Sequence, residues 1–233
     1  VAYNFIVYSR PYSVHGEEYQ ADYTRVTPRT DVYQWVRFPK TNYHVEPNQT
    51  VKIPYTVVVP KTAAPGGHYG VIFAETQPAG ETTGNAVVRK KRVGAIVYAN
   101  VNGTYTSQGN FLDVTLPFWQ VQPPMTSTMR VQNTGNSDFA DNIRFTVRDI
   151  FGNIKYDVTK QYPVLPQTTR KITVGWDQSP WFGLFKVDIT QKFLDQERTS
   201  SGYVLMMPRF IPLVLIVLLI VGGGYAVYRH KKK

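Results

Sequence analysis

The sequence predicts an all-β chain: two tandem antiparallel β-sandwiches, followed by one C-terminal transmembrane α-helix. Three observations predict it. Short runs rich in β-branched and aromatic residues recur through residues 1–208, punctuated by Pro, Gly and Asn. Helical periodicity is absent from the same stretch. The 19 residues from Phe210 to Tyr228 then carry no charge at all.

The expected strands, in order, include Val51–Val59, Tyr69–Glu75, Arg92–Val101, Phe111–Leu116, Ser127–Gln132, Ile143–Arg148, Arg170–Val174, Phe185–Thr190 and Tyr203–Met207. Runs of this length, with turn residues between them, fit antiparallel sandwiches. Residues 1–208 are too many for one seven-stranded sandwich and suit two, expected at 1–104 and 105–208.

An internal repeat supports the division. Pro47-Asn-Gln-Thr-Val-Lys-Ile in the first half answers Pro166-Gln-Thr-Thr-Arg-Lys-Ile in the second. Gly67-His-Tyr69-Gly-Val71 answers Gly183-Leu-Phe185-Lys-Val187, and Asn4-Phe-Ile-Val7 answers Arg144-Phe-Thr-Val147. The glycine allows the turn, and the aromatic opens a strand with its ring in the core. Two expected strands precede Ile143, whereas nothing precedes the matching strand near Phe5. The first unit is therefore expected to lack its opening strands, either because the chain is cut there or because another segment fills the gap. An open edge of that kind needs cover or a partner's strand.

The apolar run is expected to cross a membrane as segment 209–229. At 1.5 Å per residue, 19 residues span about 29 Å, close to the hydrocarbon thickness of a bilayer. Arg229, Lys231, Lys232 and Lys233 follow at once, against Arg209 alone on the other flank. The positive-inside rule then puts residues 230–233 in the cytoplasm and everything before the helix outside. A chain that begins with Val1 and shows no export signal reads as a processed or truncated form.

Composition fits an exported body. With no cysteine there are neither disulfides nor thiolate metal sites, which suits a bacterial surface better than an animal one. Of the net charge of +10, five basic residues flank the helix; the remainder carries 21 basic against 16 acidic residues. That mild excess suits an anionic wall polymer or lipid surface. No nucleic-acid motif accompanies it, so nucleic acid is not an expected partner.

Chemistry is sparse. No histidines stand at a zinc-binding spacing, no Gly-x-Ser-x-Gly elbow occurs, and no glycine loop cradles phosphate. His68 is expected on a strand surface. No cofactor and no enzymatic activity are expected. The sharpest polar feature is Arg89, Lys90, Lys91 and Arg92. It is either a patch for an anionic ligand or a charged strand edge that blocks aggregation. Trp119, Trp181 and Phe182 are candidate aromatic contacts for sugar or protein; the alternative is that they close the sandwich core.

The order of these features resembles the WxL-interacting family of bacterial cell-surface proteins. The residues that carry the likeness are Tyr12-Ser-Val-His-Gly16-Glu-Glu-Tyr19, Val57-Val-Val-Pro60 with Pro65-Gly-Gly-His-Tyr69-Gly-Val-Ile72, Val93-Gly-Ala-Ile-Val-Tyr98 with Val101-Asn-Gly103, Val131-Gln-Asn-Thr-Gly135, and Val147-Arg-Asp-Ile-Phe-Gly152. The first of these departs from the family's pattern by lacking an Asn. The resemblance implies two Ig-like domains before the membrane helix. It also implies peptidoglycan binding by the first domain and protein or host ligands for the second.

Three functions follow as expectations. The leading one is a non-enzymatic, membrane-anchored surface protein that binds cell-wall polymer, partner surface proteins or host ligands. The second is a structural or assembly subunit of a pilus or secretion complex. The third, more remote, is a membrane-tethered hydrolase.

Overall fold

The chain is predominantly β in a computed structural model that describes residues 2–77 and 90–231. Two compact units form. Unit 1 comprises Val1–Asn110, Gln132–Phe139 and Val164–Arg170; unit 2 comprises Phe111–Val131, Ala140–Pro163 and Lys171–Lys233.

Unit 1 is built on a four-stranded antiparallel sheet. It holds β1 (Tyr3–Pro11), β5 (Asn42–Val45), β7 (Gly66–Thr76) and β8 (Arg92–Val101), in the order β5-β1-β7-β8. A hairpin of β2 (Ser13–His15) and β3 (Gln20–Asp22), a one-turn helix α1 (Val32–Trp35), and the pair β4 (Val36–Arg37) and β6 (Thr56–Val57) complete it. Central β7 is buried on both faces over Gly66–Val71, which is why no apolar–polar alternation marks that stretch.

One face of the sheet packs Tyr69, Val71 and Phe73 against Tyr12 and Leu165. The other packs Ile72, Val97, Ala99 and Val101 under Val32, Trp35 and Val36. Gly70 makes the second contact possible: a Cβ there would sit 3.0 Å from the Tyr33 nitrogen and 3.1 Å from Val32 Cβ.

Unit 2 carries four strands of 11 residues, β12 (Phe139–Asp149), β13 (Ile154–Val164), β15 (Gly183–Phe193) and β16 (Gln196–Met206), with the short β10 (Trp119–Gln120). They form one sheet in the order β10-β16-β15-β12-β13. A second, three-stranded sheet joins β14 (Thr169–Trp176), β11 (Met125–Asn133) and β9 (Gly109–Thr115). Strand β11 alternates strictly between buried and half-buried residues, as a sheet with one core face requires. Met129, Val131, Ile143, Phe145, Ile172 and Val187 fill the core.

The repeated motifs occupy related places. Asn48 and Gln167, each just after its proline, both adopt left-handed backbone (φ 63° and 57°). The Gly67–Val71 and Gly183–Val187 motifs lie on the strands β7 and β15, and each pairs with the strand bearing the third motif. The registers differ: Val7 faces Ala74, whereas Val147 faces Val187.

Several expectations are corrected. Val51–Val59 forms a strand only over Thr56–Val57, because Pro54 cannot donate to a ladder. One helical turn, α1, interrupts a stretch expected to lack helix. Residues 154–164 form an unexpected strand, β13. It lies at the sheet edge, and Ile154, Tyr156, Val158, Tyr162 and Val164 share one of its faces, a period-2 pattern broken only by Lys160.

Helix α2 (Phe210–Lys231) has 22 residues and is about 33 Å long. Among the described residues, no helix is long and apolar enough to cross a membrane. The run read from the sequence as a transmembrane segment includes Leu213, Leu215, Gly224, Ala226, Val227 and Tyr228, whose side chains lie outside the described ones.

Candidate functional site: an open strand edge

Strand β8 ends its sheet and pairs with β7 alone among the described strands. Its backbone polarity follows from one bond. The Thr76 N–H donates to the Lys91 carbonyl at 2.9 Å, and the register continues through Ala74 facing Val93. Antiparallel ladders alternate bonded and non-bonded pairs. Hence Val93, Ala95, Val97 and Ala99 turn their backbone groups to β7, and Arg92, Gly94, Ile96, Tyr98 and Asn100 turn theirs outward.

The side chains are open as well. None of the ten residues of β8 is buried. Val93 is 74% exposed, Tyr98 48% and Ile96 42%. Natural sheets blunt such an edge with prolines, inward charges or a covering segment. Here Gly94 keeps the strand flat against its neighbour: a Cβ at that position would meet the Phe73 ring at 2.7 Å and Val71 at 3.2 Å.

A groove of about 300 Å³ continues from the edge across the sheet face. Tyr3, Phe5, Val45, Ile53, Ala74 and Val93 line it. It opens because the covering layer is short. In unit 2 the second sheet has three strands, whereas in unit 1 the pair β4–β6 matches only two residues on each strand.

The basic run lies at the start of β8. Arg89 falls outside the described residues. Lys90 stands 3.5 Å from Glu75, whose carboxyl is lowered first by the Tyr8 hydroxyl and then by this lysine. Lys91 lies over the Tyr3 ring at 5.5 Å, and Arg92 over Phe73 at 4.3 Å and Tyr23 at 5.7 Å. The three described cations thus each face a group of their own sheet, and of them Lys91 lines the groove.

His68 is not on a surface. It is 1% exposed, because β7 runs through the middle of the sheet beneath Trp35. Its Nδ1 lies 2.7 Å from Asp31 Oδ1 and its Nε2 lies 2.7 Å from the Ala64 carbonyl. With both nitrogens engaged, the ring has no free position from which to act as a base. A cavity of about 360 Å³ within unit 1 is lined by Tyr12, Arg25, Arg29, Tyr69, Leu165 and Gln167, among others. Burial pushes the hydroxyls of Tyr12 and Tyr69 up, and Asp138 raises Tyr69 further. Among the described residues, no group of three or more His, Cys, Asp or Glu could hold a metal ion.

In unit 2, Trp119, Trp181 and Phe182 are all exposed rather than closing the core. Trp119 Nε1 donates to the Met207 carbonyl at 2.7 Å. The side chain that closes that part of the core is Trp176, stacked on Tyr156 at 5.6 Å and edge-on to Phe185. Of the tail cations, Arg229 is exposed on α2; the Lys231 side chain and Lys232 and Lys233 lie outside what is described.

No family model matches the chain, and no curated protein matches it. Solved structures do resemble it. A chaperone–tip adhesin complex of CFA/I fimbriae matches with a TM-score of 0.41 at 10% identity, over 89% of this chain and 86% of that one. The class 5 fimbriae chaperone CfaA matches with a TM-score of 0.39 at 12% identity, over 89% and 87%.

Proposed function

We propose that this chain is a non-enzymatic surface protein that binds a partner protein by accepting the partner's strand on the open edge of β8. The observation that carries this reading is β8 itself: ten residues at a sheet edge, none buried, with five sets of backbone groups turned outward. Strand addition draws affinity from main-chain hydrogen bonds and specificity from alternate side chains. The groove beside Val93 receives those side chains.

The proposal includes two sandwiches of Ig-like type, α2 as a membrane anchor with its basic end in the cytoplasm, and membership of the WxL-interacting family. The anchor is supported by the uncharged run from Phe210 to Tyr228 in the full sequence. A protein strand is favoured over peptidoglycan as the ligand, because Lys90, Lys91 and Arg92 face groups of their own sheet. An assembly subunit of a pilus or secretion complex would use the same edge, and a stoichiometric partner co-purified in detergent would point to it.

Ile96→Pro tests the reading. The Ile96 N–H points away from β7, so proline removes a donor to an added strand without breaking the existing ladder. Extended peptides selected on the full chain in detergent should bind wild type and Ile96→Val alike and fail on Ile96→Pro. Equal binding to all three would overturn it.

A further inference from the structure

The exposed apolar side chains of unit 2 gather at one end. Asp149, the last residue of β12, faces Phe185; Gly183, the first of β15, faces Met206; Trp119 of β10 faces Leu205. These register points put four features together: the β12–β13 turn, the loop before β15, strand β10, and the exit of the chain toward α2. Phe118, Trp119, Ile150, Phe151, Trp181 and Phe182 are all exposed there, Phe151 at 84%. At the opposite end the β15–β16 turn exposes Leu194, at 37%.

These side chains are held outward by built turns. Asp149 Oδ1 accepts from the N–H groups of Phe151 and Asn153 at 2.9 Å each, and Lys155 Nζ stands 3.1 Å from Asp149 Oδ2. In the next loop the buried Ser179 hydroxyl accepts from the Met125 N–H at 2.9 Å. Trp119 is fixed by its bond to Met207. A contiguous group of exposed apolar side chains held in fixed turns marks an interaction site.

We propose that this end of unit 2 is a lipid-contacting collar, seated in the headgroup layer of the bilayer. The proposal rests on the reading of α2 as a membrane anchor. Only Met207–Arg209 separate β16 from α2, and three residues reach at most about 10 Å. The headgroup layer is itself roughly 5–8 Å deep on each side. A helix inserted from Phe210 therefore brings the collar to the lipid surface. Tryptophan suits that depth, with an apolar body and one polar N–H. The four features meet at the point where the apolar run leaves the unit, which favours lipid over sugar or a protein partner.

The test uses the full chain in phosphatidylcholine–phosphatidylglycerol vesicles containing lipid brominated just below the headgroup. The chain has four tryptophans; Trp35 is buried in unit 1, and Trp176, half-buried against Tyr156 and Phe185, stays in the double variant as its background signal. Shallow bromines should quench wild-type fluorescence, and Trp119→Phe/Trp181→Phe should lose that quenching. Trp181→Phe alone, at an exposed loop position, keeps the test open if the double variant folds poorly. A chain that floats with the vesicles but is unquenched by lipid and fully quenched by aqueous iodide overturns the collar and leaves the anchor standing. A chain that does not float overturns both.

Discussion

Asp141 provides the sharpest test of the core. It lies on β12, wholly buried. Its Oδ2 accepts from Gln191 Nε2 at 3.0 Å, while Oδ1 meets no hydrogen-bond partner. Burial pushes its carboxyl above the usual aspartate range, against the opposing pull of Gln191 and the Lys192 N–H. A raised folded pKa means that the native state holds the proton more tightly than the unfolded chain. Its contribution is therefore fully present below the unfolded value of about 3.9 and is lost as pH rises through the folded value.

Asp141→Asn keeps the shape and cannot ionise. Its Oδ1 takes the place of the bonded oxygen, and its amide nitrogen replaces the orphan one. One buried atom stays unmatched in either protein, so what the variant gains is relief from a buried charge. Unsatisfied buried groups cost about 1–3 kcal/mol, and more when charged. The neutral cost is common to both proteins and cancels, so the variant should be the more stable by the charged surplus at pH 7.5 and equal to wild type at pH 3.5. Urea unfolding of the detergent-solubilised chain measures it, with amide exchange at Phe145 and Val187 reporting on unit 2. A variant destabilised equally at both pH values would mean that the carboxyl makes a favourable interaction in the core, the opposite of what its burial implies.

Two further outcomes are expected. Gly94→Val should destabilise unit 1 by about 1–3 kcal/mol, since its side chain would overlap the Phe73 ring; thermal unfolding checks this. Asp149→Ala should speed amide exchange at Phe151 and Asn153. Asn153 and Lys155 hold the Asp149 carboxyl at about 2, so its contribution is present above the ordinary range near 3.9 and drains as pH falls toward 2.

Most strands are legible in the sequence because one face meets a core. Arg92–Val101 appears with those bounds, and Tyr69–Glu75 and Phe185–Thr190 fall inside longer strands. Edge strand β13 carries the alternation too, with Ile154, Tyr156, Val158, Tyr162 and Val164 on one face, but Lys160 breaks it and Pro163 reads as a strand breaker. The helical turn α1 is too short for periodicity to register, and its place depends on Gly70 in a distant strand. The basic run is visible as a charge cluster, but its cation–π contacts need the fold to bring Tyr3, Tyr23 and Phe73 beneath it. Burial of His68 is hidden for the same reason: both partners of its ring come from outside β7. Trp181 and Phe182 are conspicuous as aromatics; their shared end with Phe151 emerges only from the β12–β15–β16 register.

Amide exchange along β8 reads strand addition at this edge residue by residue. In the free chain, the N–H groups of Gly94, Ile96 and Tyr98 should exchange quickly, while those of Val93, Ala95 and Val97, bonded to β7, exchange slowly. When a selected extended peptide is bound, this alternation should disappear and all six amides should become slow. Tight binding that leaves Gly94, Ile96 and Tyr98 exchanging as in the free chain would contradict it.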